Sequence, residues 1–165
     1  MSDGRRTILG EETILLLEQL MESACSGLDT SLVRDLACDC LLEFLKWNIK
    51  QTSNEILWED PAAPDFLFQK LRSSATHPSP HQRLGAAIVL NKLYRAMRES
   101  EPLTSIYTLD LLTHFVVCLS LAEQDPPSLG TVNESKKVLY NLMRTVILRR
   151  NLLKIQTYDD ELHHS

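Results

Sequence analysis

Glycine is scarce in this 165-residue chain: five residues, Gly4, Gly10, Gly27, Gly85 and Gly130. No two are close enough to form a phosphate-cradling loop of the G-x-x-x-x-G-K-[ST] or G-x-G-x-x-G kind, whose backbone N–H groups must face the phosphates. The nearest approach to a metal-binding D-F-G is Asp65-Phe66-Leu67, which lacks the glycine and falls at a helix start. Serines in CLSLAEQ (Ser120) and at Ser73-Ser74 have no glycine elbow around them. No catalytic residue, cofactor or small-molecule substrate is therefore expected.

Cysteine is also thin: Cys25, Cys38, Cys40 and Cys118. Cys38 and Cys40 stand two apart in a helical pattern, so their side chains diverge, and no histidine sits at a zinc-finger interval. No metal site is expected, and all four are assigned to the core. Cys118 and His114 lie one helical turn apart, but a buried helical thiol is usually inert.

No apolar run is expected to reach the roughly 18–20 residues of a membrane span. The N-terminus has a basic pair but no apolar stretch before Glu11-Glu12. A secretory signal is not expected, which leaves cytosol or nucleus. The net charge of −5 excludes a generally basic nucleic-acid coat. Two basic groups stand out locally. Arg72, His77, His81 and Arg83 surround one inter-helix turn, and Arg144, Arg149, Arg150 and Lys154 cluster late in the chain. Arg72, Arg144, Arg149, Arg150 and Lys154 are the candidates for an edge that contacts phosphates. Such arginines serve equally well to satisfy helix C-terminal carbonyls.

What is abundant is helical periodicity, with 44% hydrophobic and 24% charged residues, a globular balance. The first helix is predicted from about Gly10 to Ala24, burying Ile14, Leu17, Leu20 and Met21. Gly27 ends it, and Asp29, Thr30 and Ser31 offer caps for a second, with Leu32, Val33, Leu36, Ala37, Cys40, Leu41, Phe44 and Leu45 as its buried stripe. Pro61 and Pro64 mark a loop and the start of a third, burying Phe66, Leu67, Leu71 and Ala75. Ser79, Pro80 and Gln82 form the pattern of a capping box for a fourth, running to about Arg98. A fifth carries Ile106, Leu109, Leu112, Val116, Leu119 and Leu121 until Asp125-Pro126-Pro127 stops it. The sixth is predicted from about Ser128 to Arg149, burying Val132, Val138, Leu139, Leu142, Met143, Val146 and Ile147. Gly130 lies in its first turn, where glycine costs little. Trp47 and Trp58 are ambiguous; Trp58, in a polar loop, could cover the hairpin end or be a partner anchor. His163 and His164 read as tail.

The six helices pair in sequence, and the expected caps Ser31, Ser79 and Ser128 lie 48 and 49 residues apart. This regularity predicts an all-α fold, an α-solenoid of about three HEAT-like hairpins, over a compact six-helix bundle. The expected organisation is a flexible N-terminus over 1–9, one helical repeat domain over 10–155 and a frayed tail over 156–165. In the fourth helix, Arg83 to Arg95 is apolar on two sides, as for a helix between neighbours. Gly85 is expected at a close helix approach, and Asn91 is expected to bond a loop backbone of the adjoining turn.

Three stretches carry a resemblance: LLEFLKWNIKQT (41–52), FQKLRSSATHPSPHQRLGAAIVLNKLYRAMRESEPL (68–103) and LSLAEQDPPSLGT (119–131). The most specific piece is His77, Pro78, Arg83, Leu84, Gly85 and Ala86, followed by Asn91, Tyr94 and Arg95. These resemble the family of the DNA-dependent protein kinase catalytic subunit, in its helical-repeat part ahead of the kinase domain. The resemblance implies a non-catalytic scaffold, either a fragment or a truncated relative of a much longer protein. It implies a nuclear location, a role in DNA double-strand-break repair by non-homologous end joining, and DNA ends and the Ku heterodimer as partners. A free-standing module that binds a partner helix in a groove is the alternative.

Overall fold

The computed structural model describes residues 9–25 and 31–164, the side chains of 150–158 excepted. Among these residues every regular element is helical: α1 (Glu11–Cys25), α2 (Ser31–Gln51), α3 (Asn54–Glu59), α4 (Ala62–Ala75), α5 (Pro80–Met97), α6 (Glu101–Ala122) and α7 (Thr131–His163), with a 3-10 turn at Pro127–Leu129. The expected helix break at Gly27 and the caps Asp29 and Thr30 lie outside the described residues.

The long helices pair as three hairpins, α1 with α2, α4 with α5, and α6 with α7. The hairpins stack so that α2, α5 and α7 form one layer and α1, α4 and α6 the other, a solenoid-like arrangement. The middle helix α5 touches every other long helix. Its composition explains this position: Leu84, Ala86, Ala87, Val89, Leu90, Leu93, Ala96 and Met97 are all buried, and together they surround the helix rather than line one face.

Several helix starts differ from the sequence pattern. Ser79 does cap α5 in position, but its hydroxyl makes no capping bond. Its backbone N–H donates instead to His77 Nδ1 at 3.0 Å, and Gln82 Oε1 accepts from the Ser74 hydroxyl at 3.4 Å. Both members of the expected capping box thus have other partners. Working caps appear at Ser53, which accepts from the Ile56 N–H, and at Ser100, which accepts from the Leu103 N–H. Ser128 is not the start of the last helix. Pro126 and Pro127 draw residues 127–129 into the 3-10 turn, and Gly130 takes the cap position with φ of 83°, a left-handed conformation that suits glycine. At its other end α7 continues to His163, beyond the expected stop at Arg149. The short α3 fills the loop before Pro61 and inserts Leu57 into the core.

Three helices are rotated from their expected faces. In α2 the buried side is Ala37, Cys38, Leu41, Leu42 and Leu45, whereas Leu32, Val33, Leu36 and Cys40 are exposed. Cys40 is thus not a core cysteine; the other three are buried. In α6 the buried side is Leu103, Tyr107, Leu111, Phe115, Cys118 and Ala122, while Ile106, Leu109, Val116 and Leu121 are exposed. In α7 Val138 and Leu142 are buried beside the small polar Thr131, Ser135 and Thr145, and Met143 and Ile147 face out. α6 is also long and apolar enough, by length and composition alone, to cross a membrane, contrary to the sequence expectation. Its inner side is a core face: Phe68 and Tyr107 pack with ring centroids 4.4 Å apart.

Candidate functional site

The residues that carry the sequence signature converge on α5 and its neighbours. The Arg83 guanidinium donates to the carbonyl oxygens of His77 (2.7 Å) and Pro78 (2.8 Å) and to the Asp125 carboxylate. It thereby ties the α4–α5 turn to the Asp125-Pro126-Pro127 turn that follows α6. Both side chains are deeply buried, 5% and 8% exposed, so each charge depends on the other for compensation.

Gly85 lies against the end of α1. A Cβ built there would stand 2.5 Å from Cys25 Cα and 2.8 Å from the Ala24 carbonyl oxygen, both backbone atoms that cannot swing aside. The close approach expected from the sequence is thus present, and its partner is α1. Leu84 and Ala86 flank the glycine in the core.

Asn91 faces α7 rather than a loop. Its Nδ2 donates to Glu134 O and Glu134 Oε2, each at 3.1 Å, and its Oδ1 accepts from Asn141 Nδ2 at 3.4 Å. Tyr94, one turn on, meets Thr145 Oγ1 through its hydroxyl at 2.6 Å. Arg95 is exposed. The signature is thus a set of contacts from one helix to three neighbouring segments.

Burial disfavours the thiolate at three of the four cysteines. Burial pushes Cys25 up to about 12 and Cys38 to about 11, and burial also raises Cys118, which shares a hydrogen bond with Ser135 Oγ at 3.4 Å. His114, the other half of the imagined nucleophile pair, contacts the Asp110 carbonyl oxygen through Nδ1 at 2.8 Å. Tyr107 is raised by burial and by its hydrogen bond to the Asp65 carboxylate. Among the described residues, no group of three His, Cys, Asp or Glu side chains is placed to hold a metal ion.

The candidate phosphate-contacting arginines do not form one patch. Arg72 is paired with Asp110, and Arg149 with Ser105 and Glu101. Arg144 is exposed on α7 with no ion pair among the described residues. The side chains of Arg150 and Lys154 lie outside the described residues. A cleft of about 510 Å³ between the starts of α2, α5 and α7 includes Arg34, His81, Glu134 and Lys137 in its lining. Its carboxylate is already engaged by Asn91 and by Lys137, the latter at 3.2 Å.

The surfaces with unspent binding capacity are the two ends of the stack. On the outer side of α2, Leu32 (66% exposed), Leu36 and Trp47 (58%) make a stripe at helical spacing, and Leu15 and Leu16 of α1, in the same hairpin, are exposed too. At the other end Leu109 (66%) and Val116 of α6 join Tyr140 (67%), Met143 and Ile147 of α7. Apolar surface gathered in this way marks an interaction site rather than scattered surface residues. Helical periodicity assigns Leu32, Leu36, Leu109, Val116, Met143 and Ile147 to the core, so it flags neither end as a surface.

Comparison with known proteins accords with this picture. Residues 5–161 match the family model for the DNA-dependent protein kinase catalytic subunit, CC1/2, a part outside the kinase domain. Similar curated proteins are the DNA-dependent protein kinase catalytic subunits of Mus musculus (35% identical over 136 residues), Gallus gallus (36% over 136) and Xenopus laevis (34% over 137). These alignments cover 82%, 82% and 83% of this chain and 3% of each relative. The chain thus spans about 3% of the length of the curated relatives it matches. With a family model matched along nearly its whole length, the chain belongs to the family of the DNA-dependent protein kinase catalytic subunit, through the CC1/2 region.

Proposed function

We propose that this chain is a non-catalytic scaffold segment, a stretch of HEAT-like α-solenoid that stacks against further helical hairpins of a longer kinase scaffold. In this reading it works in the nucleus, in repair of DNA double-strand breaks by non-homologous end joining. Its contribution there is shape: a rigid two-layer unit that spaces protein partners, the Ku heterodimer among them, and DNA ends.

The exposed apolar face at each end of the stack carries the proposal. A repeat array buries its core by stacking neighbours, and only its terminal repeats are polar on the outside. Both ends here are apolar, and the relatives are many times longer. Adding one helical hairpin from a curated relative at either end should raise the melting temperature and sharpen the transition. A chain that melts identically with and without them would count against the scaffold reading. Contact with DNA ends is tested separately, by titrating duplex ends at two salt concentrations with the native chain and with Arg144→Glu. Phosphate contact requires binding that weakens steeply with salt and weakens further in the variant.

A further inference from the structure

The cleft of about 510 Å³ between the starts of α2, α5 and α7 receives a basic side chain from each helix: Arg34, His81 and Lys137. Among its described lining residues the one carboxylate is Glu134, and both of its oxygens are taken. Oε2 accepts from Asn91 and Oε1 from Lys137. Arg34 is not satisfied in this way. It is part-buried, has no ion pair among the described residues, and its Nε is shut off from solvent without a hydrogen-bond partner. A buried donor on a cation is costly until an acceptor meets it. The start of α7 adds donors at the same wall. Gly130 and Asn133 line the cleft, and Gly130, as the N-cap, brings no side chain to accept from the first-turn N–H groups.

We propose that this cleft binds a phosphate monoester, with the Arg34 guanidinium as its main ligand and Lys137, His81 and the first turn of α7 around it. The donors arrive from three helices, so a tetrahedral group with several acceptor oxygens meets more of them than a planar carboxylate does. The guanidinium fork matches two phosphate oxygens at once. Leu84, Ile88 and Leu129 form an apolar wall beside these donors, and the volume exceeds that of a phosphate alone. The site therefore suits a phosphate that carries an organic body, whether a free ester or a phosphorylated side chain of a partner. A recess between three helix starts admits a terminal phosphate more readily than the diester backbone of a duplex. None of its described lining residues belongs to either apolar end face, so the site goes beyond the scaffold reading and does not depend on it.

Titration of the native chain with phenyl phosphate, followed by calorimetry, should show saturable binding, and benzoate should bind at least about tenfold more weakly. Arg34→Gln should weaken phenyl phosphate by about tenfold, the loss of a hydrogen bond to a charged group, with circular dichroism unchanged. Lys137→Gln, at an exposed position, tests the same site if the Arg34 variant folds poorly, and should also weaken binding. Lys50→Gln, an equal charge change at the far end of α2, should leave it unaltered. A phosphoserine peptide and inorganic pyrophosphate then compete with phenyl phosphate. Displacement by either supports the site, and the tighter of the two identifies the source as a phosphorylated partner or a free anion. A native chain that does not bind, benzoate that binds equally, Lys50→Gln that weakens binding as much as Arg34→Gln, or displacement by neither competitor would each overturn the proposal. Duplex binding that depends on Arg144 alone, with no phenyl phosphate bound, would leave the scaffold reading intact and sink this one.

Discussion

Asn91 of α5 and Glu134 of α7 are joined through a single amide nitrogen, which donates at 3.1 Å to both the backbone and the carboxylate oxygen of the same glutamate. Two helices of one layer are thereby fixed in register by a polar contact at the edge of an otherwise apolar helix. The same amide group accepts from Asn141, so a two-turn stretch of α7 is read by one side chain.

Replacing Asn91 with leucine removes the donor and leaves a half-buried carbonyl and carboxylate to find water. We expect a loss of about 1–3 kcal/mol in denaturant unfolding, the cost of an unsatisfied buried group. Asn91→Asp keeps the shape and places a second carboxylate against Glu134, so it should lose at least as much. A leucine variant as stable as the native chain would show that the α5–α7 contact is held by packing alone.

Gly85 and Gly130 are glycines for different reasons, and each gives a separate test. A methyl at 85 meets the backbone of Cys25 and Ala24, so Gly85→Ala should destabilise by about 1–3 kcal/mol, as overpacking does, despite alanine's better helix propensity. Gly130 has open space around it but a φ of 83°. Gly130→Ala should therefore cost about 1–2 kcal/mol through backbone strain alone. The sequence expectation, that glycine costs little in the first turn of the helix, takes no account of this strain. Thermal melts of the two variants check both, and an unchanged melt for Gly85→Ala would remove the close-approach account.

Arg83 and Asp125 form the most deeply buried ion pair among those described. Removing one partner leaves the other charged and unpaired in the interior, a loss of about 3–5 kcal/mol. The double substitution Arg83→Met with Asp125→Leu should recover much of that loss. The carbonyl oxygens of His77 and Pro78 would still lack their donor, so recovery should be incomplete. Equilibrium unfolding of both single variants and the double variant completes the cycle.

Thiol chemistry offers a direct measure of the core. Cys40 is exposed, while Cys25 and Cys38 are raised from 9.0 to about 12 and about 11 by burial. Under native conditions at pH 8, one thiol should react quickly with an aromatic disulfide reagent and three only on unfolding. Thiols raised in the folded state favour folding below about pH 9. As pH climbs through the window between 9.0 and 11 to 12, the unfolded chain sheds protons that the folded chain keeps, and stability falls. A flat stability profile across that window would contradict the burial of these two groups.

Much of the architecture was legible in the sequence because helix ends leave local marks. Proline at the starts of α5 and α6 and the Asp125-Pro126-Pro127 stop all act within a few residues. The stretch from Arg83 to Arg95 was legible too, since an apolar helix with a glycine and an asparagine needs close neighbours. The helix faces were not. α6 is apolar around much of its circumference, so periodicity could not choose between the Leu103–Tyr107–Leu111 side and the Leu109–Val116 side. The same ambiguity rotated α2 and hid the exposed stripe that now carries the functional reading.

Helical character, the pairing into hairpins and the central place of α5 are written in the chain itself, because they follow from local propensity and from apolar residues surrounding one helix. Tertiary structure alone decided which apolar residues face out, that Arg83 reaches Asp125 42 residues away, and that Asn91 bonds α7 rather than a turn. Those outcomes depend on which side of each helix its neighbours cover. A helix with apolar residues on several faces carries no local signal for that choice; only the competition among stacked neighbours for buried surface settles it.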